Sequence, residues 1–177
     1  FDTSDTRTLN TVSFTPRFIS RRDVAGLPST VTAGVDFYES QLNANRGALL
    51  SDPPVHRFDL AQRSLGIYWQ QTVGLFPNTD ISYGGRLQQT TIAARDTFNP
   101  AAPGGAFDIG ALPLGQTEVQ HASHIGIEHR VTQSFAVFAR AARSFRTPTV
   151  DERVGVSAFP PDFNLKTQTS RDVEAGF

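Results

Sequence analysis

The sequence predicts an all-β fold: an antiparallel meander of about seven long strands that forms an incomplete segment of a large transmembrane β-barrel. The prediction rests on three observations. Apolar and polar residues alternate with a period of two, most predicted strands are longer than those of soluble sheets, and short and long connections take turns along the chain.

The alternation is clearest in residues 58–75. Odd-numbered positions from Leu65 to Leu75 are apolar except Gln71, while the even-numbered positions are mostly small or polar. This pattern is typical of a strand with two unlike faces. The same pattern predicts six further strands, at 9–19, 30–43, 81–96, 118–130, 135–146 and 171–177, the last of which is expected to continue beyond the chain.

The connections between these strands alternate in length. Short links are predicted at 20–29, 76–80 and 131–134, and long links at 44–57, 97–117 and 147–170. Outer-membrane barrels follow this rule, with short periplasmic turns and long external loops. Six of the seven strands have at least 11 residues, and about 9 to 11 residues cross a bilayer obliquely. A soluble β-sandwich shares the alternation of faces and remains the alternative.

Charged residues within the predicted strands lie on the face opposite the apolar one, which favours a dry side and a wet side of one sheet. In a barrel, these side chains are candidates for polar groups that face the lumen: Arg17, Asp36, Arg86, Glu128 and Arg140.

Composition excludes several classes of protein. The 177 residues contain no cysteine, which excludes a disulfide framework, Cys-ligated zinc and thiol catalysis. No stretch approaches the ~18 apolar residues of a membrane helix. A formal net charge of -1 does not provide the concentrated basic face that nucleic acid requires.

Side chains capable of chemistry do not form a recognisable catalytic or metal site. His121 and His124 point to opposite faces of a strand, and His129 is too far along it to share an ion with His121. The carboxylates Asp151, Glu152 and Asp162 lie in a long loop with Arg146 and Arg153, where caps and ion pairs that close the loop are expected. No enzyme motif is present, and we predict no catalytic residue, no cofactor and no resident metal.

Two sequence phrases carry a family resemblance. Residues 138–152 end an alternating strand in SFRTPTVDE, and residues 164–177, NLKTQTSRDVEAGF, open the next strand. In this order and spacing they resemble phrases of TonB-dependent outer-membrane receptors, although Thr167 and Gln168 replace the family's usual Pro-Glu. Residues 31–38 and 65–86 resemble the family more loosely. The motif positions are Phe145, Arg146, Pro148, Glu152, Asn164, Leu165, Lys166, Glu174 and Gly176.

The resemblance implies a barrel with an N-terminal plug, which imports scarce ligands such as iron-siderophore complexes or cobalamin across the outer membrane of a Gram-negative bacterium. Residues 1–177 would be roughly a third of that barrel, from its C-terminal half, with the plug and the remaining strands outside them. The implied partners are outer-membrane lipid, the ligand and, through the plug, the TonB system; nucleic acid is not among them. In the alternative, a soluble all-β module that binds carbohydrate, for example, would bury Val35, Ile67 and Trp69 in a core.

Overall fold

A computed structural model describes residues 4–154 and 163–177, which form one antiparallel sheet. Apart from the first two strands, which both pair with the third, its strands follow one another in chain order, so the predicted antiparallel meander is confirmed. In the described residues the sheet is open. The strands are β1 (Ser4–Phe14), β2 (Arg17–Val24), β3 (Leu27–Gly47), β4 (His56–Phe76), β5 (Thr79–Phe98), β6 (Leu114–Thr132), β7 (Phe135–Arg146) and β8 (Gln168–Gly176).

The strand predicted at 9–19 is two strands, β1 and β2, so the sheet has eight strands in seven positions. Both pair with β3 and keep one register, since Phe14 faces Phe37 and Arg17 faces Gly34. The break falls at Pro16, which has no N–H to donate to the ladder. Its carbonyl still accepts a hydrogen bond from the Val35 N–H at 3.1 Å.

The alternation of short and long connections is confirmed, but the ten-residue link predicted at 20–29 is wrong. Ala25 and Gly26 alone join β2 to β3, and both have positive φ, 55° and 80°. Two consecutive positive φ values are typical of the type I′ hairpin turn, whose twist matches that of the strands it joins. The other short turns are also two residues long, at 77–78 and 133–134, and the long loops span 48–55, 99–113 and 147–167.

The two faces of the sheet differ. We call the face that carries Val35, Ile67 and Trp69 the front face, and the face that carries Asp36 and Arg86 the back face. The front-face side chains are not in a core: Val35 is 38% exposed, Ile67 55% and Trp69 46%. This exposure argues against the soluble alternative, which required those three residues to be buried. No helix in the described residues is long and apolar enough to cross a membrane.

The polarity of the faces reverses toward the long loops. Strands β3 to β6 are 19 to 21 residues long, roughly twice the predicted membrane-crossing length. Beyond Phe37 on β3 and Leu65 on β4, the front face becomes polar and the back face apolar. The buried core of the molecule lies there, on the back face.

This core joins the sheet to the loop between β7 and β8. Its wall residues, among them Phe58 and Leu60, are 1% and 3% exposed. Against them pack residues of that loop, which contains the single-turn helix α1 (Val150–Arg153). Phe163 meets the Phe58 ring edge-on, with centroids 6.0 Å apart. The loop therefore folds back over the sheet instead of extending away from it.

Candidate functional site on the back face

All five charged residues predicted to share a face do lie on the back face, and four of them, Asp36, Arg86, Glu128 and Arg140, form three separate sets of ion pairs. Arg140 pairs with Glu174 on β8 at 3.3 Å. Arg130 bridges Glu128 at 3.2 Å and Asp80 at 3.3 Å. Arg86 pairs with Asp36, and Arg17 lies opposite Gly34 at the edge of the sheet. The back face is thus a surface of distributed, internally paired charge.

Arg86 has the most contacts of these residues. Its guanidinium donates to Asp36 and to Gln88 Oε1, the latter at 2.8 and 3.1 Å, and lies 6.0 Å from the Tyr68 ring centroid. Gly66 leaves space for the guanidinium of Arg86, because a Cβ at Gly66 would lie 2.7 Å from Arg86 Nη2. The side chain is therefore held flat across β4.

A shallow cavity of about 310 Å³ lies on this part of the back face. Arg86 and Arg140 contribute cationic groups, while Tyr68, His124 and Ser144 contribute neutral donors and acceptors. Two arginines beside hydroxyl and imidazole groups form a surface that attracts anionic or oxygen-rich molecules. Both arginines already have a carboxylate partner, so a ligand would share them or compete for them.

The first family phrase folds into a capped turn at the end of β7. Thr149 is the N-cap of α1 and accepts from the Glu152 N–H, while Glu152 accepts from the Thr149 N–H at 2.9 Å and from Arg146. These bonds, the one from the Thr149 backbone first, lower the pKa of Glu152. Asp151 pairs with Arg7 on β1 at 2.6 Å. Pro148 is buried beside the cap, and Phe145 is half-buried on the front face.

The second family phrase is held by Arg153, whose side chain is buried. Arg153 is 2% exposed and donates through Nη1 to the carbonyls of Phe163 at 2.7 Å and Leu165 at 3.0 Å. Burial lowers its pKa from the usual value, and the nearby carboxylates of Glu118 and Glu152 oppose that shift. Lys166 donates to Asn164 Oδ1 at 2.8 Å.

The remaining motif positions, Glu174 and Gly176, lie on β8 on the back face. Glu174 pairs with Arg140, as described above. Gly176 faces the Phe138 ring, and a Cβ at Gly176 would lie 2.8 Å from Cε1 of that ring. The structure thus places all nine motif positions on β7, on β8 or in the loop between them, where their contacts stabilise the fold.

A family model described as TonB dependent receptor-like, beta-barrel, matches residues 1–177. The chain belongs to this family. No curated protein matches the sequence. Among solved structures, the ferric citrate transporter FecA in its unliganded form is similar with a TM-score of 0.69 and 14% identity, over 82% of this chain and 22% of FecA.

The ferric yersiniabactin uptake receptor FyuA from Yersinia pestis is similar with a TM-score of 0.58 and 14% identity, over 83% of this chain and 23% of FyuA. The chain therefore spans less than a quarter of the length of either structure. At this identity the two likenesses show the fold, and the fold they show is that of TonB-dependent receptor barrels.

The histidines of β6 lie apart in this receptor-family chain. By register, His121 and His129 lie on the front face and His124 on the back face. His129 Nδ1 is 2.8 Å from the Thr79 hydroxyl. Within residues 4–154 and 163–177, no group of three potential ligand side chains is placed to hold a metal ion. Asp162, expected among the loop carboxylates, lies outside the described residues.

Sequence reasoning missed a buried His–Asp cluster above the core. His56 Nδ1 lies 2.8 Å from Asp96 Oδ2, and its Nε2 lies 3.0 Å from Asp108 Oδ2. The ring stacks on Phe58 and Phe98, each with centroids 5.3 Å apart. Asp96 also accepts from the Ala111 N–H at 2.9 Å. The cluster ties the loop at 99–113 to the sheet, and the only sequence signal was polar residues at the strand ends beside that loop.

Proposed function

We propose that residues 1–177 form part of the wall of a TonB-dependent outer-membrane receptor, which imports an iron-siderophore-like or cobalamin-like ligand. The observation that carries this proposal is the exposure of the apolar front face opposite a back face of paired charges. A large exposed apolar surface on a protein of this family is best explained by contact with lipid.

The dimensions of the apolar surface support this orientation. On β4 it runs from Leu65 to Leu75, which is about 33 Å along the strand and about 25 Å in height at a tilt near 40°. Lipid-facing bands of outer-membrane barrels are ≈ 25 Å tall. The front face is therefore assigned to lipid, the back face to the lumen, and the long loops to the exterior of a Gram-negative cell.

The ligand class is supported by the arginines of the back-face cavity and by the fold relatives. Arg86 and Arg140 suit an anionic or oxygen-rich molecule. FecA is a ferric citrate transporter and FyuA takes up ferric yersiniabactin, so a ferric chelate is the first ligand class to test. A plug and the TonB system, both outside this chain, would supply gating and energy. We assign no catalytic role, no cofactor and no nucleic-acid partner.

The orientation is tested with protein expressed from its complete open reading frame and reconstituted in vesicles. Single cysteines that replace Ile67 on the front face and Gln70 on the back face, both exposed, are labelled with an environment-sensitive fluorophore. Brominated lipid is expected to quench the label at position 67 and to leave the label at position 70 unchanged. Equal quenching at both positions would contradict the assignment of faces.

Transport is tested in cells that lack the gene. Complementation is expected to restore uptake of radiolabelled ferric chelates in a strain with TonB and not in one without it. Labelled cobalamin, assayed in parallel, separates the two ligand classes. Uptake that does not depend on the gene or on TonB would overturn the proposed transport, whatever the orientation of the sheet.

A further inference from the structure

A trough crosses four strands on the front face, beyond the apolar surface. One row of facing residues forms its floor, and all four are small or uncharged: Gln41 faces Ala61, Ala61 faces Ala93, and Ala93 faces Gly115. The groove has a volume of about 680 Å³. Ala61, Ala93 and Gly115 create the depression, since the residues that flank them on the same face of these strands have longer side chains.

The polar side chains of one rim of the trough are paired with each other, and those of the other rim, in the part of the chain that the structure describes, are not. On the side nearer the apolar surface, Glu39 pairs with Arg63 at 3.1 Å and Thr91 bonds to Thr117 at 3.0 Å. On the far side, three facing residues are exposed and have no side-chain partner among the described residues: Asn43, Asp59 and Arg95. The far rim is therefore free to bind a ligand.

The height of the trough indicates what reaches it. Ala61 lies four residues beyond Leu65, the last large apolar residue of the front face on β4. For a tilt near 40° it is therefore about 10 Å above that edge. The headgroup layer of a bilayer extends roughly 5 to 8 Å beyond the hydrocarbon. The trough therefore opens just outside ordinary headgroups, within reach of a lipid whose headgroup is extended.

The chemistry of the lining indicates a sugar. Asp59 and Arg95 cancel in charge, and the amides of Gln41 and Asn43 both donate and accept hydrogen bonds. A phosphate would require several cations, whereas hydroxyl groups are suited by adjacent donors and acceptors. Leu60, Ala94 and Leu114 belong to the core behind this wall or pack against it, so the trough is preformed.

We propose that this trough binds the saccharide headgroup of a glycolipid in the outer leaflet. The inference rests on the proposed outer-membrane location, with the front face toward lipid. The ligand would lie across the strands along the floor of small residues, with its hydroxyl groups on the far rim.

The test uses delipidated protein from the complete reading frame, titrated with rough-type lipopolysaccharide and with lipid A that lacks the core oligosaccharide. Wild-type protein is expected to bind the form with the core oligosaccharide about tenfold more tightly, the equivalent of one hydrogen bond to a charged group. Ala93→Phe, which fills the floor, and Arg95→Ala, which removes the rim cation, are expected to abolish this preference.

Arg57→Ala is the matched control, because Arg57 lies on the same face and strand two residues beyond Asp59 but does not line the trough. It is expected to keep the preference. Equal affinity of wild-type protein for both glycolipids, or Ala93→Phe binding like wild type, overturns the trough inference. The fluorophore at position 67 separates the two proposals. Quenching of the label without a glycolipid preference would overturn only the trough inference. Absence of quenching would overturn the proposed outer-membrane location, on which the trough inference rests.

Discussion

Arg86 of β5 crosses the neighbouring strand β4 and pairs with Asp36 of β3. Gly66 lies opposite Asp36 in register, and a Cβ there would lie 2.7 Å from Arg86 Nη2, so the guanidinium would have to shift from its present position. The ion pair and the glycine therefore act as one unit that joins three strands through side chains as well as through the backbone ladder.

Gly66→Ala is expected to uncouple Arg86 from Asp36, because the added Cβ occupies the path of the guanidinium. A double-mutant cycle of Arg86→Ala and Asp36→Ala should give a coupling of about 1 kcal/mol in wild-type protein and near zero in Gly66→Ala. The free energy of unfolding in urea measures both cycles. Gly115→Ala is the control, since a Cβ there meets nothing within 4 Å. Full coupling in Gly66→Ala would show that the arginine takes another path.

His56→Ala is expected to destabilise the protein by about 3 kcal/mol, because it leaves the buried carboxylate of Asp96 without its hydrogen-bond partner at 2.8 Å. The Asp96 side chain is 0% exposed, so water does not replace the lost contact. Urea unfolding gives the change in free energy. His121→Ala, on the exposed front face, serves as the control and should change stability by less than about 0.5 kcal/mol. Similar losses for both variants would refute a special role of the buried cluster.

Arg153→Leu is expected to cost about 2 to 3 kcal/mol, because the buried carbonyls of Phe163 and Leu165 lose their donor. Arg153→Lys should recover only part of this, since one ammonium group does not reproduce the planar guanidinium. Thermal and urea unfolding check the order of the three proteins. Lys166→Leu, at an exposed position of the same loop, is the control and is expected to be near neutral. A stable Arg153→Leu would mean that the loop holds without these bonds.

Glu152 is expected to make the loop of α1 sensitive to acid. Its pKa is lowered in the folded state by the Thr149 N–H and Arg146. A depressed folded pKa means that the contribution is complete above the unfolded value near 4.5 and is lost as pH falls through the folded value. The free energy of unfolding, measured between pH 7 and pH 3, should therefore fall more steeply with decreasing pH for wild type than for Glu152→Gln.

Thr149→Ala is a second test of the N-cap of α1. It removes the side-chain acceptor for the Glu152 N–H and should cost about 1 kcal/mol at neutral pH. Identical pH profiles for wild type and Glu152→Gln would show that Glu152 does not carry the acid dependence.

Some of this fold was readable from local pattern alone. Alternation placed Ile67 and Arg86 on opposite faces, because successive side chains of a strand must point to opposite sides. The pattern did not reveal the strand break at Pro16 or the two-residue turn at Ala25-Gly26. Both depend on how the chain pairs with β3, and a run of polar residues near a strand end reads equally well as loop or strand.

The apolar front face shows the same division. Gln71 interrupts the apolar row, and only the folded sheet shows its amide satisfied by Tyr83 at 2.8 Å and Ser29 at 2.9 Å, which lie on the flanking strands. The sequence by itself determined the all-β class, the two faces and the family, because each depends on the pattern of residues that are close together in the chain. The tertiary structure alone decided the reversal of polarity toward the loops, the His56 cluster and the trough, because these depend on register between strands far apart in sequence.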